Sequence, residues 1–176
     1  KKKPPLLFAV PTTAGTGSEA PVAAVITDEK EHHKFTINDP KLIPDVAVLD
    51  PCITMNMPGH LTATTGMDAL THAVEAYTNI LSRPTDRGAK YAVRLIFRYL
   101  PEAYADGDDI FAREKMLEAS YEAGIAFTRS CVGYVHAIAH TLGGLYGTPH
   151  GLANAVILPH ILELYGEAVY KPLAEL

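Results

Sequence analysis

Pro58 divides this chain into two kinds of sequence. Before it, short apolar and β-branched runs at residues 6–10 (LLFAV), 22–27 (VAAVIT), around Phe35 (HKFTI) and 45–50 (DVAVLD) are separated by Gly, Pro, Asn and Asp. That pattern is the mark of strands joined by turns. Beyond it, apolar residues recur at helical spacing over residues 60–81, 84–100, 108–129, 133–142 and 151–165, with a last short helix from Glu167. Asp108 reads as an N-cap, and Pro84, Gly107 and the pair Gly143-Gly144 read as breaks. The expectation is α/β plus all-α: the end of an α/β domain over residues 1–56, then a helical domain over residues 57–176.

At 176 residues the chain is long enough to bury a real core. Fifteen basic against 20 acidic residues give a net charge of −5, with no broad footprint for nucleic acid or an anionic membrane. No apolar run approaches the roughly 20 residues of a membrane span, and no signal peptide opens the chain. A soluble, cytoplasmic protein is expected. Cys52 and Cys131 form no C-x-x-C pair and are expected as buried free thiols in a reducing compartment. The chain starts without Met and opens almost at once on an apolar strand, so it is expected to be a piece of something longer.

Chemistry concentrates in the helical part. Asp68 and His72, in TGMDALTHAVEAY, are four apart and share a helix face, as do His136 and His140 in GYVHAIAHTLGGLYGTPHGLANA. His150 follows through the glycines and Pro149 at the start of the next helix. One Asp and three His drawn from this group would fill the coordination of a divalent metal, and nitrogen plus carboxylate without thiolate suits Fe(II), Zn or Mn. Gly133, Ala137, Ala139, Gly143, Gly144 and Gly151 are small enough to let the helices converge. A single buried His is more often a hydrogen-bonded core residue, but two such pairs plus Pro-His-Gly in a chain with eight His favour a metal site. His32 and His33 fall in a charged turn, His60 at a helix start, and His160 off the His150 face. Glu75 shares the Asp68 helix, as a surface carboxylate or one backing a ligand.

The second constellation is PTTAGTGSE, residues 11–19, directly after the first strand. Its backbone N–H groups and hydroxyls can cradle a phosphate, and Gly15 and Gly17 permit close approach. It is neither G-x-G-x-x-G nor a Walker sequence, so by spacing alone it reads as an ordinary glycine turn. Lys34 could add a cation to a phosphate or ribose site.

PTTAGTGSE, GMDALTHAVEAY and GYVHAIAHTLGGLYGTPHGLANAVILPH, in this order and spacing, resemble the iron-containing, or group III, alcohol dehydrogenases. The resemblance implies a dehydroquinate synthase-like fold, in which a nucleotide-binding α/β domain and a helical domain hold a metal in the cleft between them. It assigns the metal ligands to Asp68, His72, His136 and His150, and makes His140 a proton-relay residue near substrate and nicotinamide. It gives the cofactor contacts to Thr12, Thr13, Gly15 and Thr16, with Lys34 beside them. It further implies Fe(II), or zinc in its place, NAD or NADP, a small alcohol or aldehyde substrate, reversible hydride transfer and a homo-oligomeric intact enzyme. The family's Gly-Gly-Gly-Ser loop is not in this sequence, so an internal segment with part of the cofactor site is expected. The rival readings are a metal-dependent hydrolase using the Asp/His site and an inert metal-binding fragment.

Overall fold

The computed structural model describes residues 5–79 and 86–176. Strands β1 (Phe8–Ala9) and β4 (Val46–Ala47) pair in parallel, Phe8 opposite Val46 and Ala9 opposite Ala47. Between them, β2 (Ala23–Asp28) and β3 (His33–Asn38) form an antiparallel hairpin with Ala23 opposite Asn38 and Asp28 opposite His33. The outer strands are shorter than their apolar runs suggest. Pro11 and Pro44 flank the pairing segments, and a proline has no N–H for the ladder.

The helices are α1 (Gly59–Thr78), α2 (Asp86–Ala105), α3 (Ile110–Ser130), α4 (Tyr134–Tyr146), α5 (His150–Tyr165) and α6 (Glu167–Glu175). The end of the first expected helix at residues 80–81, and Pro84, lie outside the described residues. Helix α2 continues past residue 100 through Pro101. Alanines at positions 69, 73 and 76 of α1 are fully buried, as are Ala112, Ala119 and Ala123 of α3. With no side chain beyond Cβ, they let α1 lie close against its neighbours, while Ile96, Met116, Leu117 and Val135 fill the remaining core.

Three local expectations are corrected. The cap of α3 is Asp109, whose Oδ1 accepts from the N–H groups of Phe111 and Ala112 at 3.0 Å each, whereas the Asp108 N–H is taken by Asp106 in the preceding turn. Gly143 and Gly144 do not break α4. The helix runs through them and stops at Gly147, which adopts φ 66° and donates its N–H to the Gly143 carbonyl. Their smallness serves docking instead: a Cβ at Gly144 would stand 2.7 Å from the His32 carbonyl oxygen, so α4 rests on the hairpin backbone there. The thiols of Cys52 and Cys131 are exposed, not buried. Cys52 lies in a short 3-10 turn, and Cys131 ends α3 at φ 66°.

Candidate metal centre

Three helices each bring an i, i+4 pair to one place. Asp68 and His72 come from α1, His136 and His140 from α4, and His150 with Asn154 from α5. Asp68 Oδ1 lies 3.5 Å from His136 Nε2 and 3.4 Å from His150 Nε2, and one ligand atom from each of the three residues lies within 4.8 Å of the others. Two ligand atoms at the corners of a tetrahedron, each about 2.1 Å from a metal, are about 3.4 Å apart. The Asp68 edges therefore have the dimension a divalent metal requires.

His72 is outside that trio. Its buried ring stacks on His136 at 4.4 Å and on Phe127 at 4.3 Å, and its Nδ1 makes no hydrogen bond among the described residues. One buried carboxylate and three imidazoles, His72 among them with a nitrogen left unpartnered, make a donor set that suits a divalent cation.

The tautomer of His136 is set from behind. Its Nδ1–H donates to Glu75 Oε2 at 2.6 Å, and Glu75 Oε1 accepts from the Val135 N–H at 2.8 Å. Glu75 is thus a buried carboxylate backing His136, not a surface one. When the ring is neutral, this bond leaves its Nε2 lone pair turned toward Asp68 and His150.

The electrostatics follow burial and neighbours. Burial alone would raise Asp68, but the charges of His72, His150 and His136 and the hydrogen bond with His136 outweigh it and hold the carboxyl at about 2. Burial opposes charge on His136 too, yet Asp68 and Glu75 lift it to about 8. Burial, with His136 and His150 adding to it against the pull of Asp68, lowers His72 to about 4. His140 also falls to about 4, through burial and then through His150, His136 and Lys34. Burial lowers His150.

His140 stands one turn beyond His136 and stacks on His150 at 5.0 Å. It faces a cleft of about 390 Å³ whose walls are Glu31, His32 and Lys34 of the hairpin and Ala137, His140, Thr141 and Leu145 of α4. Lys34 and His140 therefore share one opening next to the trio. Thr12, Thr13, Gly15 and Thr16 are not among its lining residues. Thr12 and Thr16 are exposed, while Gly15 is buried against α1, where any Cβ would collide with the Thr65 carbonyl.

Asn154 is the site residue that sequence reading missed. It is fully buried, and its Nδ2 donates to Asp68 Oδ1 at 2.7 Å. The signal was present as His150-x-x-x-Asn154, a third i, i+4 pair, but an uncharged amide on a helix does not stand out.

Residues 62–176 match the family model described as Fe-containing alcohol dehydrogenase family, C-terminal, and residues 1–51 match that of iron-containing alcohol dehydrogenase. The 1,3-propanediol dehydrogenase of Citrobacter freundii is 52% identical over 158 residues, 89% of this chain and 41% of that protein. The NAD-dependent methanol dehydrogenase of Bacillus methanolicus is 49% identical over 156 residues, 88% of this chain and 41% of that protein. A crystal structure of a 1,3-propanediol oxidoreductase superposes with a TM-score of 0.88 at 49% identity, covering 93% of this chain and 43% of that one. The chain spans about two fifths of the length of the curated relatives it matches. Family models over nearly its whole length, and a shared backbone at this identity, establish that the chain belongs to the iron-containing alcohol dehydrogenase family.

Proposed function

We propose that the protein containing this chain is a metal-dependent, NAD(P)-linked alcohol dehydrogenase that interconverts short primary alcohols and aldehydes. The observation that carries the reading is the meeting of Asp68 Oδ1 with His136 Nε2 and His150 Nε2 at 3.5 and 3.4 Å, beside a cleft holding His140 and Lys34. Asp68, His72, His136 and His150 would hold the cation, Fe(II) or zinc, with residues 57–176 as the metal-binding domain and residues 1–56 as the end of the nucleotide-binding one. The names of the relatives, which act on propanediol and methanol, support a small primary alcohol, and one of them is named NAD-dependent.

A cation at this place supplies Lewis acidity toward the substrate's oxygen. The chain's own residues do the rest. Asp68, held anionic, contributes the charge that makes the site selective for a cation, and Glu75 keeps the His136 lone pair turned inward. His140 is neutral at pH 7 and stands on the cleft side of the trio, where its ring can accept the hydroxyl proton of an alcohol and release it to solvent. Lys34, in the same cleft, offers a cation to cofactor phosphate or ribose, and the loop at Thr12, Thr13, Gly15 and Thr16 offers N–H groups and hydroxyls to the same molecule.

The test is oxidation of NADH or NADPH by a panel of short aldehydes, using full-length protein loaded anaerobically with Fe(II) or with Zn. Turnover that depends on the metal is expected. Metal-loaded protein that transfers no hydride but hydrolyses phosphate esters would replace this reading with the hydrolase one.

A further inference from the structure

We infer that Asn154 is a positioning residue of the metal centre, holding the Asp68 carboxylate in line with the two imidazole nitrogens; the inference rests on the metal-site reading above. Asn154 is fully buried on α5, one helical turn beyond His150. Its Nδ2 lies 2.7 Å from Asp68 Oδ1, 3.1 Å from His136 Nε2 and 3.2 Å from His150 Nε2. A primary amide has two N–H bonds, so it cannot serve three acceptors at once. The shortest contact is to the charged oxygen, and a charge-assisted bond is the one that prevails.

The orientation of the amide follows from the same network. Turned over, its Oδ1 would face a carboxylate oxygen at 2.7 Å, acceptor against acceptor. In the orientation observed, Oδ1 is buried with no hydrogen-bond partner among the described residues. An asparagine placed merely to fill this volume would leave that cost unexplained, since an apolar side chain fills it without an orphaned carbonyl. The cost is offset by what the NH₂ group does at Asp68.

Among the described residues, the amide of Asn154 is the donor that reaches Asp68 within 3 Å; the imidazole nitrogens stand at 3.4 and 3.5 Å. A carboxylate oxygen has two lone pairs, so the amide can hold one and leave the other for a cation. The longer contacts to His136 and His150 are the ones a cation would replace. Asn154 thereby does for Asp68 what Glu75 does for His136: these two residues of α1 and α4 are each aimed by a buried partner on another helix.

The experiment titrates Co(II) into full-length protein stripped of metal, comparing the parent with Asn154→Ala and Asn154→Leu, and records the visible absorption of bound Co(II). Asn154→Leu fills the buried volume and decides the matter where the cavity left by Asn154→Ala costs the fold. Both variants are expected to bind Co(II) about 10–100-fold more weakly, with shifted absorption bands, because the carboxylate no longer holds its angle. A folded variant with parental affinity and parental bands overturns the inference, since a purely structural asparagine would leave both untouched. Failure of the parent itself to bind Co(II) would instead overturn the metal-site reading.

Discussion

Two successive turns of one face of α4 treat the same side chain in opposite ways. His136 faces Asp68 and Glu75 and is raised to about 8, while His140, one turn along, faces His150, Lys34 and the cleft and is lowered to about 4. Sequence spacing makes the two equivalent; what separates them is which charges stand opposite. The inner imidazole is anchored between two carboxylates, while the outer one is swayed more by burial and neighbouring cations than by Asp68 and is neutral at pH 7. On the reading proposed above, one is there to be held and the other to exchange a proton.

The sharpest way to break this contrast is to remove the inner ring. His136→Ala should abolish metal retention and turnover together, and leave Glu75 as an unpaired buried charge at a cost of about 3–5 kcal/mol, read by metal analysis and urea unfolding. Taking away the outer ring should look different. His140→Ala is expected to lower kcat by about 10²–10⁴-fold with metal content unchanged; an empty site in that variant would show that the two histidines share one role. Glu75→Gln keeps the shape behind His136 but loses the charge, and should weaken metal binding about 10–100-fold in a calorimetric titration.

The smallest effect is on pH. Because the folded value of His136 lies above its ordinary 6.5, its proton stabilises the metal-free protein fully below pH 6.5. That contribution, about 2 kcal/mol, fades as pH rises through about 8. A cation must displace the same proton, so apparent metal affinity should climb about tenfold per pH unit up to about 8 and then flatten. An affinity flat across pH 6.5–8 would mean that His136 is neutral in the metal-free state.

Much of the helical half was legible because its apolar period is long and regular, and because Asp68, His72 and His136 occupy positions where spacing alone places them on shared faces. Glu75 was legible only as a choice between two roles, which burial against His136 resolves. Other features were hidden for physical reasons. Asp108 and Asp109 are equally good caps by type, and only the turn geometry selects the second. Gly143 and Gly144 signal smallness without saying whether the chain must turn or a neighbour must come near, and what comes near is a hairpin a hundred residues earlier in sequence. Asn154 carries no charge and no helical stop signal, so nothing local marks it.

The contact at Gly144 sets the width of the cleft without belonging to its lining. One wall is hairpin and the other is α4, and they meet where the His32 carbonyl rests on the helix backbone. A methyl group at position 144 would stand 2.7 Å from the His32 carbonyl oxygen and act as a shim, forcing the walls apart while every lining side chain stays the same. The width of the cleft is thus adjustable from outside its lining, by the thickness of a single residue.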